Sequence, residues 1–377
     1  MQSRRRVISL VPDAFGGRGG IAAYGRNLLT AVCRHPDVGE VVALARTVHY
    51  ELEPMPPNLR YGMAAGGSRL RYAAAVMALA TRMGSADLVI CGHLNLLPFA
   101  ALLGVRFHCP VLPVVYGRDA WQPTPYRAAN LFSRRIRSFI AIRRLTAERL
   151  KAWARIPRAL VHYLPNCIDL SAFHAAPRRA DLVDKYGLAG RTVIMTAGRI
   201  ELARYEPNKG FDEVLETLPD LARDVPDATY LIVGDGEGTA DLRAKARALG
   251  VADRVTFTGY VAEREKADHY RLADVVAMPG SSRNFDRYPF RFAFLEPLAC
   301  GIPVVASRLV DPSEKDDADA KRLLIQVDPD DRADIRRGIL EGLSRRGKGV
   351  DPGLAKFSYE AFEKKVVSIV SATMMHG

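Results

Sequence analysis

The chain lacks paired cysteines, and this absence excludes a disulfide-stabilised scaffold. Five cysteines are scattered over 377 residues, and none of them forms a CxxC pair or has the spacing of a zinc site. A reducing compartment is therefore favoured, and we expect the protein in the cytoplasm. No set of carboxylates resembling a DxD motif stands where it would bind a metal, so we expect neither a metal nor a cofactor.

Long uncharged apolar runs are also scarce. The run at Val7–Val11 is too short for a signal peptide and is better interpreted as a first buried strand. The segment Leu88–Val105 carries no formal charge, but glycine, histidine, asparagine and proline interrupt it, which favours a strand, a turn and a helix over a membrane span. No GxGxxG sequence follows either first strand, and this argues against a nicotinamide-dependent oxidoreductase.

What is present is an ordinary globular composition with an excess of positive charge. Hydrophobic residues make up 48% of the chain and charged residues 25%, and the length is typical of two domains. The formal net charge of +12 suits phosphorylated ligands or anionic lipid, although an arginine-rich proteome would give the same excess. Nucleic acid is disfavoured because no aromatic residues interleave the basic ones.

Short β-branched runs alternate with longer amphipathic stretches along the whole chain. The predicted strands of the first half are Val7–Val11, Glu40–Ala45, Leu88–Cys91, Val111–Val115 and Ser138–Ile142. Those of the second half are Thr192–Ala197, Thr229–Val233, Arg254–Phe257, Val275–Met278 and Pro303–Ala306. Two such series predict two doubly wound α/β domains with parallel sheets, and a ligand in the cleft between them.

Glycine-rich turns follow several of these strands. Gly16–Gly20 lies between the first strand and a helix predicted over Tyr24–Val32, where close backbone and a helix N-terminus favour a phosphate. Val233–Gly238 and Thr258–Tyr260 are similar turns in the second half. Plain strand-to-helix turns are the alternative for each of them.

Two cations stand beside glycines after the first strand of the second half, in Gly198-Arg199 and Lys209-Gly210. Strand-end loops are the usual ligand edge of an open α/β sheet. Two cations facing one diphosphate would contribute about 1.5–3 kcal/mol each through charged hydrogen bonds. Surface cations without a role are the alternative.

One stretch, Tyr288–Val305, combines a loop, a short helix and a strand that enters the core. Glu296 is a lone acid in the apolar helix, so it needs a partner. It either lies on a solvated helix face or holds the hydroxyls of a sugar or ribose.

The order of these motifs resembles the retaining glycosyltransferases of family 4. The matching pieces are Gly19–Ile21, Leu164–Asp169, Gly198-Arg199 with Lys209-Gly210, Val233–Gly236 and Phe294–Val305. The resemblance implies the GT-B fold, in which two Rossmann-like domains face each other across a cleft. It places an acceptor-binding domain at residues 1–171, a nucleotide-sugar-binding domain at 172–356, and a helix that crosses back to the first domain at 357–377.

The resemblance also implies roles for single residues. Arg199 and Lys209 would neutralise the donor diphosphate, and Glu296 would hold the ribose hydroxyls. The residues expected to bind donor or acceptor are Gly19, Gly20, His93, Asp119, Gly198, Gly234, Gly259, Tyr260, Tyr288, Phe292, Ala293 and Phe294. Among these, Gly20 and Phe292–Phe294 would offer backbone N–H groups to the phosphates, and Gly259 and Tyr260 would line the base.

The chain departs from the family at two site positions and in the loop Glu201–Asn208, which is longer than the family's usual link between the arginine and the lysine. The family carries a second glutamate eight positions before Glu296, where this chain has Tyr288, and Asp286 is a candidate substitute. The histidine that often ends a first-domain strand is replaced by Tyr116, while His93 ends another strand and is either structural or directed at the acceptor.

These observations predict a metal-independent retaining enzyme that moves a sugar from a UDP- or GDP-sugar to an acceptor hydroxyl. The acceptor would be a saccharide or a lipid-linked molecule of bacterial polysaccharide or glycolipid assembly. A cluster of basic residues between Arg127 and Arg158 is either a solvated surface or a peripheral contact with anionic lipid on the inner face of the membrane. Because of the departures at the two site positions, a non-catalytic nucleotide-sugar-binding protein or partner subunit is the alternative.

Overall fold

The computed structural model describes residues 4–63, 68–201, 209–280, 292–308 and 322–375. The chain divides into two compact units. Unit 1 comprises Met1–Cys167 and Tyr359–Gly377, and unit 2 comprises Ile168–Ser358. Each unit is built on its own parallel sheet.

The sheet of unit 1 has seven strands in the order β3-β2-β1-β4-β5-β6-β7. The strands are β1 (Arg5–Val11), β2 (Val38–Ala45), β3 (Leu59–Met63), β4 (Leu88–Cys91), β5 (Val111–Val115), β6 (Ser138–Ala141) and β7 (Leu160–Tyr163). The helices are α1 (Gly20–Cys33), α2 (Arg69–Arg82), α3 (Leu97–Phe107), α4 (Arg127–Ser133), α5 (Arg144–Ala154) and, from the chain end, α12 (Tyr359–Met375). The strand order reverses between β1 and β4, which is where open α/β sheets bind ligands.

Unit 2 repeats this topology with six strands in the order β10-β9-β8-β11-β12-β13. The strands are β8 (Thr192–Ala197), β9 (Ala228–Val233), β10 (Val255–Phe257), β11 (Val275–Met278), β12 (Val304–Ser307) and β13 (Leu324–Val327). The helices are α6 (Ala180–Tyr186), α7 (Phe211–Asp224), α8 (Thr239–Ala248), α9 (Lys266–Tyr270), α10 (Phe292–Ala299) and α11 (Arg332–Arg345). The order reverses between β8 and β11.

The central strands form because their β-branched and apolar residues are buried on both faces. Every residue of β8 and of β9 is buried, as is every residue of β4 in unit 1. Such continuous apolar runs are typical of parallel sheets with helices on both sides. The predicted fold class is confirmed: both sheets are doubly wound.

All ten predicted strands are present, with ends that differ by at most two residues. Three further strands, β3, β7 and β13, were not predicted. The first two lie at the edges of their sheet and are only partly buried, so their sequences carry polar residues that weaken the β pattern. The third, β13, lies at an edge of the sheet of unit 2.

The C-terminal helix α12 packs on α1 within unit 1. Tyr24 and Phe362 meet edge to face, with ring centroids 5.6 Å apart, and Arg34 forms an ion pair of 2.9 Å with Glu363. Among the described residues, no helix has the length and apolar character needed to cross a membrane.

Candidate functional site

At the carboxyl edge of the unit 2 sheet, three loops continue the hydrogen-bond ladder beyond the strands. The N–H of Gly198 donates to Val233 O at 2.8 Å, and that of Ile200 donates to Asp235 O at 3.0 Å. The N–H of Gly234 donates to Gly259 O at 3.1 Å. The loops after β8, β9 and β10 therefore form one connected backbone surface.

This close approach requires glycine at two positions. Gly234 has a φ of 135°, and a Cβ there would lie 1.9 Å from the carbonyl oxygen of Gly198. Gly236 has a φ of 155°, and its Cβ would lie 2.0 Å from Ile200 O. Both the backbone angle and the space exclude a side chain, so the glycines of Val233–Gly238 are explained by packing of backbone on backbone.

The side chain of Lys209 packs directly against the Cα atom of Gly198. A Cβ on Gly198 would be 2.2 Å from the Nζ atom of Lys209, and Gly198 has a φ of 151°. The next residue, Gly210, is the N-cap of α7 with a φ of 95°, and a Cβ there would lie 2.4 Å from Pro279, just after β11. The ammonium group is thus held where the strand order reverses between β8 and β11.

Arg199 is placed differently from Lys209. Its side chain is 72% exposed, and its Nε atom forms an ion pair with Glu201 Oε1 at 3.6 Å. An exposed ion pair of this kind contributes little to stability, so the guanidinium is not fixed at one point. The structure therefore holds one of the two predicted cations against the backbone and leaves the other in solvent.

Glu296 lies on α10 and is 4% exposed. Its Oε2 atom accepts a hydrogen bond from the hydroxyl of Tyr270 at 2.8 Å, and its Oε1 atom is 3.7 Å from Lys266 Nζ. Burial raises the pKa of Glu296, while the charges of Lys266 and Lys209 and the hydrogen bond from Tyr270 lower it. Of the two alternatives for Glu296, the solvated helix face is therefore excluded, and the acid has partners.

Those partners, Lys266 and Tyr270, were missed by sequence reasoning. They lie four residues apart on the short helix α9, so they share one face of it. Their spacing in the sequence predicts that they share a helix face, but it does not predict that this face packs on α10.

The start of α10 offers the N–H groups of its first turn. Phe292, Ala293 and Phe294 open the helix and are half-buried. First-turn N–H groups have no partner inside their helix and suit an anion. Tyr288 and Asp286, which precede the helix, lie outside the described residues.

Gly259 and Tyr260 follow β10, and Gly259 belongs to the backbone surface formed by the loops after β8, β9 and β10. Gly259 has a φ of 73° with open space where a Cβ would be, and Tyr260 is 56% exposed. An exposed ring next to an open glycine can present an aromatic face to a flat ligand.

In unit 1, Gly19 is the N-cap of α1 with a φ of 91°, and Gly20 is the first residue of that helix. Both are exposed, and a Cβ on either would meet nothing within 4 Å. The first N–H groups of α1 are therefore approachable by a ligand.

His93 and Asp119 follow the adjacent strands β4 and β5. Nδ1 of His93 accepts a hydrogen bond from the N–H of Asn95 at 3.1 Å. A carboxylate oxygen of Asp119 accepts from the N–H of Gly117 at 2.6 Å. Burial raises the pKa of Asp119, the charge of His93 lowers it, and burial lowers the pKa of His93.

Tyr116 occupies the position where the family often has a histidine. Its ring packs edge to face on Tyr24 of α1, with centroids 5.4 Å apart. Burial, followed by the charge of Asp119, raises the pKa of the phenol. Tyr116 is therefore a neutral packing residue beside Asp119.

Comparison with known proteins gives a family match in the second half of the chain. Residues 191–344 match the family model described as "Glycosyl transferases group 1", and this segment lies within unit 2. A GDP-mannose-dependent alpha-(1-6)-phosphatidylinositol monomannoside mannosyltransferase of Mycolicibacterium smegmatis is 39% identical over 155 residues, which is 40% of this chain. A D-inositol 3-phosphate glycosyltransferase of Segniliparus rotundus is 31% identical over 153 residues. The first match spans only 39% of that relative's own length, and the second only 32%.

Solved structures match over nearly the whole chain. HepE of Anabaena, in complex with UDP, has a TM-score of 0.70 and 17% identity, covering 97% of this chain and 100% of that one. WaaG, a glycosyltransferase involved in lipopolysaccharide biosynthesis, has a TM-score of 0.61 and 15% identity, covering 97% and 95%. At this identity the likeness shows a shared fold, in which two doubly wound units follow one another in a single chain.

Proposed function

We propose that this chain, whose residues 191–344 match the group 1 glycosyltransferase model and whose fold is GT-B, transfers a sugar from a nucleoside diphosphate sugar to an acceptor hydroxyl, with retention at the anomeric carbon. Unit 2 would bind the donor and unit 1 the acceptor. The transfer would proceed without a metal.

The observation that carries this proposal is the position of Lys209. Its ammonium group lies on Gly198 where the strand order of unit 2 reverses, and its charge acts on Glu296. A fixed cation at this point meets the diphosphate of a nucleotide bound at the usual edge of the sheet. Glu296, a buried acid on which the charge of Lys209 acts, suits the two hydroxyls of the nucleotide's ribose.

The chemistry follows from the placement of charge. As the glycosidic bond breaks, negative charge builds on the leaving diphosphate and positive charge on the sugar ring. Lys209 stabilises the former more than the ground state, which lowers the barrier. Arg199, now in solvent, would turn onto the same phosphates, and the N–H groups of Phe292–Phe294 would add hydrogen bonds. The leaving phosphate would accept the proton of the acceptor hydroxyl.

We propose GDP-mannose as the first donor to test, because the relative from Mycolicibacterium smegmatis is GDP-mannose-dependent. UDP-glucose is the second, because HepE has been solved in complex with it. The relative's name also supports a glycolipid acceptor in bacterial glycolipid or polysaccharide assembly. A lipid-linked acceptor would bring the protein to the inner face of the membrane, where its positive charge would favour anionic lipid.

A donor screen tests the proposal. Calorimetry with GDP-mannose, UDP-glucose, GDP and UDP would use the parent protein, Lys209→Ala, and the matched control Arg223→Ala, which removes an arginine that is 80% exposed on α7. We expect binding of one nucleotide class, a clear loss in Lys209→Ala and none in the control. Equal binding in both variants, or no binding of any nucleotide, would overturn the proposal. NMR of the product's anomeric proton would test retention, and chelator treatment would test metal independence.

A second candidate is a nucleotide-sugar-binding protein without transferase activity. The packing of Tyr116 on Tyr24 favours it, since a neutral, half-buried phenol replaces the family's histidine beside Asp119. Tight nucleotide binding without hydrolysis or transfer to glycolipid, saccharide or inositol acceptors would support this candidate. Turnover with any of these acceptors would exclude it.

A further inference from the structure

Each oxygen of the Glu296 carboxylate has a partner on α9. Tyr270 donates to Oε2 at 2.8 Å, and Lys266 Nζ is 3.7 Å from Oε1. The same Nζ atom is 2.8 Å from Glu263 Oε1, one turn earlier. Lys266 is therefore shared between a buried acid and an acid that is 54% exposed.

The charges around Glu296 oppose one another. Burial, the largest influence, raises its pKa, and the nearby carboxylate of Glu263 raises it further. Lys266, the hydrogen bond from Tyr270 and, last, Lys209 lower it. Tyr270 is itself buried, which holds the pKa of its phenol far above the usual range, so the hydroxyl remains a donor. The net effect is a raised pKa for Glu296, and the cation and hydrogen bond supplied by α9 oppose that rise.

We propose that Lys266 and Tyr270 are positioning residues that set the affinity for the donor nucleotide through Glu296. Tyr270 fixes the orientation of one carboxylate oxygen, and the charge of Lys266 favours the ionised form of the group. Both conditions matter for a ligand, because an ionised carboxylate offers both oxygens as acceptors, whereas a protonated carboxyl uses one of them as a donor. Glu263 opposes this effect by drawing on the same lysine. The inference rests on the proposed function, in which Glu296 holds the ribose hydroxyls.

The first test is nucleotide affinity as a function of pH. For whichever of GDP and UDP binds, calorimetry between pH 5 and 8 would compare the parent protein with Lys266→Met, Lys266→Arg and Glu263→Gln. Affinity falls as Glu296 takes up a proton, so Lys266→Met should weaken binding about tenfold near neutral pH and move this acidic limb to higher pH. Lys266→Arg should restore the parent profile, and Glu263→Gln should move the limb to lower pH. If Lys266 had only a structural role, Lys266→Met and Glu263→Gln would not move the acidic limb in opposite directions.

The second test separates this inference from the function beneath it. Affinities of Lys266→Met, Tyr270→Phe and Glu296→Gln would be measured alone and combined, with GDP or UDP and with the 2′-deoxy form. If α9 acts through Glu296, then Lys266→Met and Tyr270→Phe add nothing to Glu296→Gln, and all three lose the preference for the 2′-hydroxyl. Additive losses would overturn the inference and leave the proposed function standing. Unchanged affinity in Glu296→Gln would remove Glu296 from the site. Circular dichroism checks folding, and Tyr270→Phe keeps the buried ring.

Discussion

The two units have the same strand topology but present different groups at the carboxyl edges of their sheets. In unit 2 the edge is backbone, with three loops joined by hydrogen bonds, glycines without room for a side chain, and a lysine lying across one of them. In unit 1 the corresponding edge is made of polar side chains, with His93 and Asp119 held by backbone N–H groups. Within one strand order, a backbone edge suits phosphates and a side-chain edge suits a hydroxylated acceptor.

The family match follows the same division. It covers residues 191–344 and therefore falls within the unit with the backbone edge. Glycines at close approaches constrain sequence strongly, since no other residue fits a Cβ that would lie 1.9 Å from a carbonyl oxygen. A side-chain edge can change with the acceptor. The difference between the two units predicts that substitutions in unit 2 impair the use of the donor, whereas substitutions in unit 1 impair the use of the acceptor.

The largest effect is expected from Lys209→Ala in unit 2. Removing a preorganised charge from a developing phosphate anion typically lowers the rate by about 10²–10³. We expect kcat with the donor to fall by that factor while the KM for acceptor stays within about twofold of the parent value, because we propose that unit 1 binds the acceptor. Steady-state kinetics with both substrates varied checks this. A rise in acceptor KM without a loss in kcat would contradict the division of roles.

Gly198→Ala tests whether the backbone edge is needed as such. The new Cβ would meet Lys209 Nζ at 2.2 Å on a residue with a φ of 151°, so the lysine must move and the backbone is strained. We expect a loss of about 1–3 kcal/mol in the free energy of unfolding together with weaker donor binding. The control is Gly250→Ala, with a φ of 69° and open space, which should cost about 1 kcal/mol and leave donor binding unchanged. Denaturant titration and calorimetry measure both. Equal donor affinity in the two variants would show that the position of Lys209 does not matter.

How far the sequence predicts this molecule depends on whether a feature is local. Gly198 and Lys209 belong to one short segment, and the structure brings them into contact. The partners of Glu296 could not be predicted, because Lys266 and Tyr270 meet it only through the packing of α9 on α10. The solvent exposure of Arg199 was also hidden, since a side chain's burial is set by tertiary context. The edge strands β3 and β7 were also not predicted, because their place at the edges of the sheet is set by tertiary context.

A smaller effect is expected from His93→Ala in unit 1. Loss of a hydrogen-bonding group from an acceptor site costs roughly 1–2 kcal/mol, or about tenfold in acceptor KM. Donor affinity measured by calorimetry should not change, which is the reverse of the pattern for Lys209→Ala. A matched control is His49→Ala, which removes an exposed histidine of the same unit. If His93→Ala left acceptor kinetics unchanged, the histidine would be structural, and the acceptor would be bound elsewhere.

The smallest effect concerns acid stability, and it should be confined to unit 1. His35 at the end of α1 is buried, with Nε2 2.8 Å from the hydroxyl of Ser371 on α12 and Nδ1 accepting from the N–H of Asp37 at 3.1 Å. Burial lowers the pKa of His35 below its usual value of about 6.5, and Asp37 offsets this in part. The stability that this histidine contributes is therefore present above about pH 6.5 and is lost as the pH falls through the lowered folded-state pKa. The protection factors of amides in α12, which are corrected for the intrinsic pH dependence of exchange, should decrease over that window in the parent protein and change less with pH in His35→Gln, while protection in β8 of unit 2 follows the same course in both. An equal pH response of α12 in both proteins would show that His35 does not set the acid limit of unit 1.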